Sequence, residues 1–261
     1  MPSISLTNPT NITSLDFRAI STQKLGGSIQ NLSRFGNLQR FIAIGHNLVG
    51  SIPDISNNSL LSLFQCSNNQ LSGSIPDLSS NALMKFVYLH NNQLTGSIPD
   101  LSSNNLLKQF TCNNNLLTGS IPDLSSNTAL QQFKCQNNNL TSFATGFNFN
   151  SAISIFNFSF NSITAEIPSL TGTNLTYFLC NGNTSISVAS NFAVPASLLE
   201  FQSQNCNMSQ STVDDILAAF NLAGASNGVL YMGGNNASPT GGFTNPDYVA
   251  LINRDWTVGI L

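Results

Sequence analysis

The chain repeats itself every 23 residues: Leu48, Leu71, Leu94, Leu117, Leu140 and Ile163 are each separated from the next by that offset. The same offset aligns Phe41, Phe64, Val87, Phe110, Phe133 and Phe156, then Cys66, Leu89, Cys112, Cys135 and Phe158, then Asn69, Asn92, Asn115, Asn138 and Asn161. Each column keeps one chemistry. A unit this short cannot bury an apolar face alone, so the units must cover one another by stacking, which predicts a quasi-one-dimensional array. The 37 Asn and 36 Ser among 261 residues point the same way, because an Asn excess of this size comes from a repeating structural position.

Written out, the unit is LxxFxCxNNxLxGSIPDLSSNxx, clearest at residues 61–78 and 107–124. Phe110 and Cys112 alternate with Gln109, Thr111 and Asn113, the period of a short strand with one face inward, so the strands stack into a parallel sheet. Asn115 and its equivalents stand where the chain turns out of the strand, and there a side-chain amide can satisfy backbone groups that the turn leaves unpaired. Gly96 and Gly119 allow a tight bend, Pro99 and Pro122 stiffen the convex run, and Ile98 and Leu101 close the core from that side. The unit resembles the leucine-rich repeat of the plant-type GxIP subclass over residues 15 to about 208. That resemblance implies an α/β-type solenoid of about nine 23-residue units with a concave parallel β-sheet. The first unit is degenerate, with Leu25, Gly27, Ile29 and Leu32 fitting only its second half. The copies at Phe178 and Phe201 follow after a slip of one residue.

The expected organisation is an N-terminal cap at 1–14, the array at 15–208 and an α/β capping segment at 209–261. In the last, Ser211 or Thr212 is expected to cap a helix through Asn221, with Val213, Ile216, Leu217 and Phe220 on its apolar face and Gly224 as its stop. A strand at 229–232, the turn-forming GGNNASPTGG, a helix at 247–253 and a strand at 256–260 complete it. These pieces are similar to the ends of leucine-rich repeat proteins of bacteriophage and bacterial surface genes. The resemblance implies a virion or cell-surface setting.

Composition narrows the chemistry. Eleven Asp plus Glu against eight Lys plus Arg give a formal charge of −3, without the basic excess that a nucleic acid partner requires. No apolar run is long enough to cross a bilayer, and the start, MPSISLTNPTNITS, has neither the basic nor the apolar region of a signal peptide, so neither membrane insertion nor a signal peptide is expected. Four of the five cysteines, Cys66, Cys112, Cys135 and Cys180, fall in the inward strand column and read as buried thiols, which suggests folding in a reducing compartment. The paired cap cysteines of plant-type extracellular relatives are absent.

Catalytic constellations are missing. His46 occupies an Asn-column position and reads as a turn residue, and His90 has no acidic partner or zinc-ligand set in the neighbouring units. Asp54, Asp77, Asp100 and Asp123 form a column that reads as turn carboxylates accepting bonds from the following amides, rather than as calcium ligands. The Ser and Thr that recur around Gly on one flank are interrupted by that Gly, which argues against an ice-binding face. No carboxylate pair suits glycoside hydrolysis. No enzymatic activity and no cofactor are therefore expected.

What remains is a surface. Outward strand residues run from Arg40, Ile42 and Ile44 through Leu63, Gln65 and Ser67 to Phe86, Tyr88 and His90, then Gln109, Thr111 and Asn113, Gln132, Lys134 and Gln136, and Ile155, Asn157 and Ser159. Leu63, Gln65, Phe86, Tyr88, His90, Gln109, Thr111, Gln132 and Lys134 are the candidate binding residues, since aromatic faces beside a field of amides suit a glycan or a protein ligand. The expectation is a non-enzymatic binding or structural solenoid, either a phage virion fibre, spike or decoration subunit or a surface adhesion protein. The alternative is a secreted recognition or inhibitor protein.

Overall fold

The computed structural model describes residues 11–17 and 24–260. Most of the expected N-terminal cap therefore lies outside the described residues. One strand from each turn enters an eleven-stranded parallel sheet: Ser14–Asp16, Arg40–Ile42, Leu63–Gln65, Phe86–Tyr88, Gln109–Thr111, Gln132–Lys134, Ile155–Asn157, Tyr177–Leu179, Glu200–Gln202, Val229–Tyr231 and Thr257–Gly259. The register keeps the repeat's columns together, with Phe41 beside Phe64, Phe64 beside Val87, Val87 beside Phe110 and Phe110 beside Phe133. The one-residue slip is absorbed outside the sheet, since Phe156 still pairs with Phe178 and Phe178 with Phe201. At the front, Leu15 pairs with Phe41, so the degenerate unit does supply a strand.

Inward strand residues build a stack of rings along the solenoid. Phe41 and Phe64 stack at 5.2 Å, Phe110 and Phe133 at 5.5 Å, Phe133 and Phe156 at 5.7 Å, and Phe178 and Phe201 at 5.2 Å. The five cysteines are buried and unpaired; burial pushes the thiols of Cys66, Cys112, Cys135 and Cys180 up, away from the reactive thiolate.

Asparagine forms not one ladder but three. In the expected one, Asn115 donates Nδ2 to the carbonyls of Leu89 at 3.1 Å and Cys112 at 3.0 Å, and its Oδ1 accepts from the Leu94 amide at 2.9 Å. His46 holds the same position in its turn, is buried, and contacts the Phe17 carbonyl through Nε2. A second ladder comes from the last Asn of the DLSSN segments: Asn104 is fully buried and donates to the Leu78 and Asn81 carbonyls, both at 3.1 Å. The third runs along the exposed rim just past the strands, where Asn91 donates to Asn68 at 2.6 Å and Asn137 to Asn114 at 2.7 Å. Each of these rim residues has a positive φ, which Asn tolerates better than other residues with a side chain.

Convex turns are fixed by the Asp column. Asp77 accepts from the Ser79 amide at 2.9 Å and from its hydroxyl at 2.7 Å, and Asp54 and Asp100 repeat the pattern. Short strands on the flank form three small sheets. A gap between two of them falls where SFATGFNFNSA replaces the GSIPDLSS segment, and Phe143, Phe147 and Phe149 fill the core there against Phe156.

In residues 209–261 the helix α1 (Gln210–Ala223) is capped by Ser209, whose side chain accepts from the Thr212 amide at 3.2 Å, and Gly224 ends it with φ 72°. The expected cap at Ser211 or Thr212 is therefore corrected: both lie inside the helix, because Ser209 is the residue with extended backbone that aims its oxygen at the first turn. Helix α2 (Pro246–Ile252) follows, capped by Asn245. The loop read as a plain turn does more than reverse the chain. Its Asn236 donates to the Ser203 carbonyl at 2.7 Å and accepts from the Cys206 amide at 3.0 Å, continuing the inner Asn ladder.

Candidate functional site: the concave sheet face

Side chains of the parallel sheet that do not enter the core form a grid, two columns within the strands and one just past them. Leu63, Phe86, Gln109 and Gln132 are cross-strand neighbours in the first column, and Gln65, Tyr88, Thr111 and Lys134 in the second. The ladder thus brings the candidate residues into one continuous patch with His90 at its border. Phe86 and Tyr88 stack with centroids 6.2 Å apart and planes 15° from parallel, although they are two residues apart on one strand. Tyr88 donates its hydroxyl to Gln109 Oε1 at 2.7 Å, which fixes both side chains. Burial pushes the Tyr88 phenol up, so it stays a neutral donor.

His90 Nδ1 lies 3.1 Å from Thr111 Oγ1, and burial followed by the positive charge of Lys134 holds its pKa below the ordinary histidine value. Lys134 supplies the positive charge of this patch. Gln132 and Lys134 are half-buried and their side chains have no protein partner among the described residues. They can bind something else.

Four outward positions are corrected. Thr111 is only 6% exposed, because His90 and Tyr88 lie beside it, and it serves as a hydrogen-bond partner inside the patch. Ile42 is buried between the strands Ser14–Asp16 and Leu63–Gln65. Ser67 and Ser159 are buried as well, since a short side chain at a strand end lies below its longer neighbours in the column. The grid also extends past the outward residues expected from the sequence, to Tyr177, Leu179, Glu200, Gln202, Val229 and Tyr231. Carrying the columns across the one-residue slip would have found the first four; Val229 and Tyr231 lie 29 residues past Glu200 and Gln202, outside the period.

No group of His, Cys, Asp or Glu among the described residues is arranged to hold a metal ion. No helix among them is long and apolar enough to cross a membrane.

No family model matches the chain, and no curated protein matches it. Solved structures do. The leucine-rich repeat ectodomain of the Arabidopsis receptor kinase HAESA, in complex with an N-terminally extended IDA peptide hormone, is 27% identical, covers 70% of this chain and 32% of its own, and superposes with a TM-score of 0.63. The fold is that of a leucine-rich repeat solenoid. A TDR receptor is also 27% identical, covering 85% of this chain and 44% of its own with a TM-score of 0.57. A plant ice-binding protein covers 85% of this chain and 73% of its own at a TM-score of 0.60, but at 23% identity it shares the fold alone. The chain spans less than half the length of the two receptor ectodomains it resembles.

Proposed function

We propose that this solenoid is a non-enzymatic recognition protein whose concave face binds a protein or peptide ligand at the Phe86–Tyr88 pair. One observation carries the reading: a stacked aromatic pair, fixed by the Tyr88–Gln109 hydrogen bond, shares a face with Gln132 and Lys134, two strands away, whose side chains have no protein partner among the described residues. Rigid aromatics next to available amides and one cation are the composition of a binding centre. The peptide complex of the HAESA ectodomain supports a peptide over a glycan. A virion or cell-surface setting belongs to the same proposal, and so does a secreted recognition protein: thiols that are all buried suit exposure to oxidants in either place.

The test is a Phe86→Ala, Tyr88→Ala double variant screened with its parent against a displayed random-peptide library. Expected is a loss of at least about thirtyfold in affinity for the peptides that the parent selects, at an almost unchanged thermal midpoint. Equal binding by the double variant would move the site off this patch.

A further inference from the structure

Toward the C-terminal half the concave grid turns apolar again. Gln132 is followed in its column by Ile155 and then Tyr177, and Lys134 by Asn157 and then Leu179. Ile155 and Leu179 are half-buried and Tyr177 is 38% exposed. At the rim beside these strands stands Phe160, 57% exposed with φ 54°. The other rim residues with positive φ in this column are Gly45, Asn68, Asn91, Asn114, Asn137, Gly182 and Asn205, the types that tolerate a left-handed backbone; a bulky aromatic does not. The ring lies over Gly182, where a Cβ would come within 2.8 Å of it, and more than half of it remains in solvent. The fold gains little from a residue that its backbone disfavours, and an outlier of this kind points to a use outside packing.

Spacing connects this second apolar group to the first. The strand Tyr177–Leu179 lies four ladder steps from Phe86–Tyr88, about 19 Å along the sheet. An extended chain covers that span in about six residues, an even number that turns both end side chains toward the same surface. Between the two groups lie Gln109, Gln132 and Lys134, amides and one positive charge.

We propose that Tyr177, Leu179 and Phe160 form a second anchor site, so that the concave face takes one extended peptide segment with two apolar side chains about six residues apart and an acidic residue between them, opposite Lys134. This rests on the concave reading above and adds the spacing and the charge of its ligand. A neutral glycan offers neither two aliphatic or aromatic anchors nor a counter-charge for Lys134.

The experiment uses the full chain and labelled synthetic peptides in a Gly/Ser background, each with one Phe and one Leu set at increasing separations, and Asp or Asn at the centre. Affinity should peak at a separation of about six residues and fall about tenfold when the second anchor becomes Ser or the central Asp becomes Asn. Phe160→Asn combined with Tyr177→Ser should abolish the separation preference and lower the affinity of two-anchor peptides to that of single-anchor ones. Phe160→Asn alone should keep or raise the thermal midpoint, which separates a binding loss from misfolding. Equal binding at all separations, or no effect of the paired substitution, overturns the second anchor while the Phe86–Tyr88 site stands if its own double variant still loses single-anchor binding. If no peptide binds the parent chain, or only an uncharged oligosaccharide does, both readings fall.

Discussion

A single asparagine does different work in each of the three ladders, and its replacement has a different cost in each. Asn104 is fully buried and its amide donates to two carbonyls of the preceding turn. Asn104→Ala strands both acceptors and should destabilise by about 1 to 3 kcal/mol in urea titration, more than the exposed Ser80→Ala. Asn91 is on the rim at φ 58°, where conformation matters more than hydrogen bonding. Asn91→Gly should therefore stay within about 0.5 kcal/mol of the parent, while Asn91→Ala should lose about 1 kcal/mol. If the two Asn91 variants were equally stable, the left-handed rim would not be what selects Asn. Phe133 is flanked by Phe110 and Phe156 at 5.5 and 5.7 Å, so Phe133→Ala opens a void with rings on both sides. An expected loss of about 3 to 5 kcal/mol follows, with an unchanged urea midpoint as the contrary result.

At the scale of the element, each strand of the concave sheet is only three residues long and owes its place to the turn before and after it. The Asp–Ser turns hold one side of the unit and the inner Asn ladder the other, so register is set by hydrogen-bonding side chains as much as by the apolar columns. These turns make stability depend on acid. Hydrogen bonds from Ser56, Ser79 and Ser102 hold the carboxyls of Asp54, Asp77 and Asp100 below their ordinary value, so the stability they contribute is complete above the unfolded carboxylate pKa and is lost as pH falls through the folded one. His90 acts in the same direction at higher pH. Its folded pKa is depressed, so below the unfolded value of about 6.5 the unfolded chain takes up more protons and stability falls as pH falls. Thermal midpoints should thus decline in two steps on acidification. His90→Gln should remove the upper step and leave the lower, and a midpoint insensitive to pH between neutrality and mild acid in the parent would contradict the burial of His90.

For the whole molecule, stability is a sum of neighbour interactions along one axis, and the core is continuous from Leu32 to Ile260. The thiols report on it. All five should resist maleimide in the folded chain and all should react after denaturation without reductant, counted by intact mass. A thiol blocked after denaturation would indicate a disulfide that the buried, unpaired arrangement does not contain.

The repeat made the fold legible because every 23-residue column meets the same environment: Phe110, Cys112, Leu117 and Asn115 each declare a position, and stacking repeats it. Column chemistry also marked His46 and the Asp turns as structural and placed Phe86, Tyr88 and Lys134 on one outward face. Exposure was another matter, because alternation says which way a side chain points and not what stands over it. Thr111 and Ser67 point outward and are buried by longer neighbours in adjacent turns, and Ile42 is closed over between the strands on either side of it. The rim ladder of Asn68, Asn91, Asn114 and Asn137 was hidden in the NN pairs, since both asparagines repeat with the same period and only the backbone dihedral tells them apart. Phe160 became conspicuous for the same reason: its type is ordinary in the sequence, and only its left-handed backbone and exposed ring set it apart.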